Sequence, residues 1–239
     1  LEWMVIHGAD PHILVEAHPH IGTNRLPGVV TAMRETIKAA GGEVRFNHKV
    51  VDVLEENGTC TGVEVVCLEN DTRSVVRGEA VILATGHSAR DMFELIHDKG
   101  LAIEAKPFAM GVRVEHSQNW VNEVQYHGEI VEDRLPPASY SLVCQVEGRG
   151  VHSFCMCPGG VMAPCATSPG EIVTNGWSPS KRNNPHANSG MVVQVGPSDW
   201  EPLGFHGPLG GLRFQESVEQ ACWKVAGQTQ AAPGQRLVD

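Results

Sequence analysis

Five apolar residues in a row, Ala80-Val81-Ile82-Leu83-Ala84, constrain this chain more than any other feature. A run without polar alternation suits a strand buried on both faces, as at the centre of a parallel sheet. Thr85-Gly86 ends it, and Ser88 or Asp91 can cap a helix that carries Met92, Phe93 and Ile96 inward and stops at Gly100. Upstream, Gly22 and Thr23 open a helix with Pro27 in its first turn and Gly41-Gly42 at its end. Val30, Met33 and Ile37, with Val29 and Thr36 beside them, fall on one face of it. Residues 43–46 read as a short strand, and residues 12–20 as a strand or loop edge ended by Pro19. Residues 50–54 and 61–68 form a hairpin around Glu55-Glu56-Asn57-Gly58, with 74–76 pairing back or leading on. To about residue 105 this is an α/β pattern.

The texture then changes. Short strands at 111–115, 141–146, 151–156, 171–174 and 191–195 are separated by Gly, Pro, Asn and Ser, with one helix at 118–124. Phe214, Val218, Ala221, Cys222 and Val225 have helical spacing. A domain boundary falls near residues 106–116.

Of the 239 residues, 41% are hydrophobic and 19% charged, which excludes a wholly disordered chain. No apolar run approaches the ~18–20 residues of a membrane span. Eighteen Lys and Arg against 28 Asp and Glu leave a net charge of −10, which argues against a general phosphate-backbone binder. Seven irregularly spaced cysteines fit a reducing compartment better than a disulfide framework. Leu1-Glu2-Trp3 has no charged n-region of a signal peptide, and the chain reads as a piece of a longer reading frame.

Several groups could carry chemistry. Gly86 after a strand would let the backbone approach a bound group, or would serve a plain strand-to-helix turn. Gly86-His87-Ser88-Ala89-Arg90 nearly matches a nucleophile elbow, with Asp133 or Asp199 and then His206 as partners for Ser88. Arg90 is the departure, because the elbow's last Gly permits close helix packing. Cys144, His152, Cys155, Cys157 and Cys165 cluster within 22 positions. Cys155 and Cys157 point to one face if the strand is regular, and lack the spacing of a zinc chelate. They read first as buried strand cysteines and second as a thiol pair facing a redox cofactor. His7, His12, His18 and His20 crowd the N-terminal region without a carboxylate pattern that completes a metal site. Lys181-Arg182 could grip an anion or form a plain charged loop. Neither G-x-G-x-x-G nor G-x-x-x-x-G-K-[ST] occurs.

One ordered set of motifs runs through the chain. It comprises His20-Ile21-Gly22-Thr23-Asn24-Arg25-Leu26, Gly42-Glu43-Val44-Arg45-Phe46, Ala84-Thr85-Gly86-His87-Ser88-Ala89-Arg90-Asp91 and Lys106-Pro107-Phe108-Ala109-Met110-Gly111-Val112-Arg113. Phe154-Cys155-Met156-Cys157-Pro158-Gly159-Gly160, Asn175-Gly176 and Ser180-Lys181-Arg182 complete it. Over roughly residues 12–239 it resembles the FAD-dependent dehydrogenases, two-domain flavoproteins of bacteria and plastid-bearing eukaryotes.

The resemblance implies an α/β fold, an incomplete Rossmann-like FAD/NAD(P)-binding domain with a β-rich inserted α+β domain. Residues 1–112 would be the middle of the FAD domain and 113–239 most of the insert, which would lie over the flavin. It implies FAD as cofactor, NAD(P)H as a further option, a small-molecule substrate, no nucleic acid and no membrane. By the same analogy Val50 would meet the adenine, Thr85 and Gly86 would lie beside the cofactor, and Gly22, Thr23 and Arg25 on the isoalloxazine side. Cys155, Cys157 and Lys181 would face the flavin. The parent would be a flavin-dependent oxidoreductase of the cytoplasm, or of a plastid stroma. The family's opening G-x-G-x-x-G strand and its closing FAD segment would lie outside residues 1–239, leaving this piece a weak FAD binder and inactive by itself. A Ser88 hydrolase and a Cys/His metal-binding module are the alternatives.

Overall fold

The computed structural model describes residues 1–128 and 135–238. Two compact units emerge: Leu1–Met33 with Ala105–Asp239, and Arg34–Glu104. Every sheet among the described residues is antiparallel.

The first unit begins with a short helix α1 (Glu2–Ile6), a 3-10 turn (Pro11–Leu14) and the start of α2 (Leu26–Ala39). Ala9, Ile13 and Val29 are buried together, with Met4, Val5, Ile21 and Met33 packed on them. Residues 12–20, expected as a strand or loop edge, contain that 3-10 turn and irregular chain. Pro27 does stand in the first turn of α2, where a missing N–H costs least. Its inward residue, however, is Val29, whereas Val30 and Ile37 are exposed.

The unit's main sheet has the order β4-β9-β6-β5, from β4 (Phe108–Ser117), β5 (Val143–Val146), β6 (Arg149–Cys157) and β9 (His186–Val195). A two-stranded ribbon pairs β7 (Val161–Cys165) with β8 (Val173–Trp177). Helix α4 (Gln118–Gln125) follows β4 directly. Val121, Ala138 and Ala187 are buried together, flanked by Tyr126, Tyr140 and Met156.

Two helices close the unit, α5 (Pro197–Trp200) and α6 (Gly210–Val225). Trp200 is 1% exposed and stacks at 5.5 Å on Phe108, with Phe214 at 6.3 Å. The face of α6 is rotated from the one its spacing suggests. Gly210, Gly211 and Glu219 are buried, whereas Ala221 and Val225 are exposed. A polar residue is drawn inward because Glu219 accepts a hydrogen bond from Gln215 at 2.7 Å.

The second unit is a meander, β1 (His48–Glu56), β2 (Thr59–Cys67) and β3 (Thr72–Arg77), followed by α3 (Arg90–Asp98). Asn57 and Gly58 both have positive φ, the two-residue turn whose twist matches the strands. Two ion pairs tie α3 and the residue after it to β1: Lys49 with Asp91 at 2.8 Å, and Lys99 with Asp52 at 2.6 Å.

Two expectations fail in this unit. Residues 43–46 are irregular, and so are residues 80–84. Ile82 is 89% exposed, so the apolar run is not a buried central strand. Such a strand needs hydrogen-bonded neighbours on both sides. The meander is completed by its own turns, and none of the described strands pairs with 80–84. No described helix is long and apolar enough to cross a membrane.

Candidate functional site

Three segments of the first unit converge. The 20–25 loop is clasped to the 178–180 loop. Thr23 donates its N–H (3.1 Å) and its Oγ1 (3.2 Å) to the Ser178 carbonyl. The Asn24 side chain accepts from the Ser180 N–H at 2.8 Å and donates to Ser180 Oγ at 3.3 Å. His20 Nε2 lies 3.1 Å from the Pro179 carbonyl. Gly22 makes the contact sterically feasible. Its φ is +94°, and an added Cβ would collide with the Ser180 backbone.

Ser178 hands the connection on, donating its Oγ at 2.7 Å to the carbonyl of Pro158. The Pro158-Gly159-Gly160 turn is also held by the buried Gln118, whose Oε1 accepts from Gly159 N–H at 2.7 Å. Gln118 donates to Ala138 O at 3.0 Å, so one amide ties three segments.

Beyond the clasp lies a cleft of about 240 Å³. Arg25, Lys181, Ser180 and His20 supply donors to it, and Asp10 and Glu16 supply carboxylates, with His12, Ile13 and Ile21 completing the wall. Arg25 faces Asp10 at 4.0 Å, both well exposed, so the pair is weak and its guanidinium stays accessible.

Behind the clasp, on the β4-β9-β6 sheet, Arg113 donates to Asn188 Oδ1 at 2.6 Å and to the Cys155 carbonyl at 3.3 Å. Asn188 is fully buried. Gly176 lies over this group, and a Cβ there would meet Arg113, Asn188 and Cys157 Sγ. Burial pushes the Cys157 thiol above its ordinary value, against the pull of Arg113. Tyr140 is raised by burial as well, with Ser189 and Arg113 opposing.

The sequence-derived residues divide between the units. Gly22, Thr23, Arg25, Cys155, Cys157 and Lys181 belong to the first. Val50, half-buried on β1, and the exposed Thr85 and Gly86 belong to the second. Gly86 has φ +74° and open space around its Cα. The second unit's depression, about 560 Å³ and broadly open, is lined by Thr59, Cys60, Thr61, Arg77, Gly78 and Glu79 and contains none of these.

Asn188, Gln118 and Ser178 escape a reading of the sequence, and Arg113 stands in it only as the end of a motif. The available signal is Asn188-Ser189, two polar residues inside a long strand.

The alternatives gain no support. Residues 80–86, which lead into Ser88, form no strand, so the elbow is missing its strand, and Arg90 at the final Gly position is buried. Asp199 is committed to Arg149 and to the Gly196 N–H. Asp133 lies outside the described residues. Among the described residues no three His, Cys, Asp or Glu side chains gather as a metal site.

Comparison with known proteins agrees with the motif set. Residues 107–239 match the family described as FAD-dependent protein, C-terminal domain-like. Residues 19–150 match FAD dependent oxidoreductase. An uncharacterized protein of Clostridium beijerinckii is 40% identical over 241 residues, a match that covers all of this chain and 44% of that protein. The chain therefore spans less than half the length of this relative. FAD is the cofactor these families share, and the chain belongs to the FAD-dependent oxidoreductase family.

Proposed function

We propose that the chain is part of a longer flavoenzyme that oxidises or reduces a small molecule. The carrying observation is the pair of family matches, which overlap at 107–150 and together reach from residue 19 to 239. In this reading residues 1–112 are the middle of a Rossmann-like FAD domain and residues 113–239 its β-rich insert. FAD would supply the electron or hydride chemistry, with NAD(P)H as one candidate electron source, and the protein would supply orientation and electrostatics. The acidic charge favours neither nucleic acid nor an anionic surface as partner. The cysteine pattern favours a reducing compartment, the cytoplasm or a plastid stroma.

Gly22, Thr23, Arg25, Val50, Thr85 and Gly86 are the proposed cofactor contacts, and Cys155, Cys157 and Lys181 the proposed residues of the reacting side. The cleft beside the clasp fits only part of the cofactor. Its 240 Å³ is below the ~300–1,000 Å³ typical of drug-sized ligands. FAD is larger than those ligands, so the first unit's residues hold one portion of it. Arg25 and Lys181 suit an anionic or carbonyl-bearing portion.

The test is a titration of FAD against the full-length protein, read by flavin fluorescence. Arg25→Ala and Lys181→Ala should each weaken binding about tenfold, about 1.4 kcal/mol, as for a lost charge-assisted hydrogen bond. Ser88→Ala should leave it unchanged. Unaltered affinity in both cation variants would remove the cleft from the cofactor site.

A further inference from the structure

Cys155 and Cys157 are not equivalent residues on one strand face. In β6, Phe154 pairs with Gly190 but Cys157 pairs with Asn188, so three steps on β6 oppose two on β9. The extra residue makes a bulge, and Cys155 within it has φ +49°, a conformation non-glycine residues rarely adopt. The bulge breaks the alternation that would put both thiols on the same face. Cys155 is exposed, while Cys157 is buried with its Sγ 3.3 Å from the Cys155 carbonyl. Arg113 holds that same carbonyl.

We infer that Cys155 and Cys157 form a peroxide-oxidisable thiol pair, in which exposed Cys155 is oxidised first and buried Cys157 closes a disulfide onto it. Chain length permits closure, and the Cys155 side chain must turn toward Cys157 for the bond to form. Residues two apart span at most ~6.6–7.2 Å when fully extended, and a bulge shortens that. Disulfides accept Cα separations of ~4.4–6.8 Å. Cys157 Sγ is already folded back over the peptide that carries Cys155.

The chemistry balances with a hydroperoxide as oxidant. The Cys155 sulfur attacks the outer oxygen, the O–O bond breaks, and Cys155 sulfenic acid forms with release of water or an alcohol. Cys157 then attacks the Cys155 sulfur. The S–S bond forms, the S–O bond breaks, and hydroxide leaves as water with the proton from Cys157. Two electrons pass from the thiol pair to the peroxide. Burial keeps Cys157 protonated and hidden until this step, while the charges of Arg113 and Arg182 favour its thiolate. Arg113 is a positioning residue here, acting through the Cys155 carbonyl and Asn188. The reaction needs no flavin, so this inference stands apart from the flavoenzyme reading.

The experiment uses the reduced full-length protein, limiting hydrogen peroxide and dimedone, which traps sulfenic acids, with peptide mass spectrometry. In the wild type a Cys155 to Cys157 disulfide should accumulate, reversible by dithiothreitol, with little trapped adduct. Cys157→Ala should leave an adduct on Cys155 at least tenfold above that on the exposed Cys144. Cys155→Ser changes only an exposed side chain and keeps the fold, and in it Cys157 should stay reduced. Equal trapping on Cys155 with and without Cys157, a bond from Cys157 to Cys165 instead, or no excess oxidation of Cys155 over Cys144 would overturn the inference.

Discussion

In the Arg34–Glu104 unit, consecutive strands pair through tight turns, and α3 is tied to β1 by exposed ion pairs. In the other unit, β4 pairs with β9, and Asn24 reaches Ser180 across 156 positions. The first arrangement rests on turn chemistry, whose parts sit next to each other in sequence. The second rests on close backbone approach and buried polar partners such as Gln118, Ser178 and Asn188. The candidate site lies with the second kind, since long-range contacts alone bring loops from distant positions together.

The contrast can be broken most severely at Gly22 of the clasp and at Gly176 over the Arg113–Asn188 group. Gly22→Ala introduces a Cβ against the Ser180 backbone at φ +94°, and Gly176→Ala drives one into Arg113, Asn188 and Cys157. Gly22→Ala should cost about 3 kcal/mol, because backbone must yield at a strained φ, and Gly176→Ala about 1–3 kcal/mol, because the atoms it meets are side-chain ends held in a hydrogen-bonded group. Chemical denaturation should show the loss, and protease cleavage in the 20–25 loop should rise in Gly22→Ala.

A smaller effect is expected at the hairpin. Asn57 and Gly58 have φ +53° and +78°, and Gly58→Val should cost about 1–2 kcal/mol. Hydrogen exchange should rise in β1 and β2 and stay unchanged in β4 and β9.

A pH effect should separate the units next. Burial holds the His116 imidazole below its ordinary value, against the raising effect of Glu115. It lies beside Trp120 and Tyr140, and its Nε2 has no partner among the described residues. A histidine depressed in the fold binds its proton more readily when unfolded. Stability is therefore intact above the unfolded value of about 6.5 and falls as pH drops below it. His116→Phe should flatten that limb in thermal melts between pH 7 and 5.

The smallest effect is assigned to the exposed pairs. Lys99 and Lys49 hold Asp52 and Asp91 below the ordinary carboxylate value. Their contribution is present above about pH 4 and fades as pH falls further, and salt screens it. Lys49→Ala should change the melting temperature by no more than about 1–2 °C at high salt.

What the sequence makes legible follows the same division. The Asn57-Gly58 turn, the Pro27 helix start and most strands of the second half are readable because local residues decide them. Residues 80–84 mislead, because five apolar residues indicate burial while saying nothing of the neighbours that would bury them. The bulge at Cys155 is invisible in a pattern of alternating residues, since register belongs to the pair β6 and β9 and not to β6 alone. Gly22, Thr23, Arg25, Cys155, Cys157 and Lys181 are found as motif positions, yet the contacts of Arg113 and Asn188 beside the two cysteines depend on pairing across the sheet.

The most direct test of the central claim is the visible absorbance spectrum of the purified full-length protein. A flavin spectrum, with FAD released on denaturation, is the predicted result. A folded protein that stays colourless after FAD is added would contradict the assignment of this chain to a flavoenzyme.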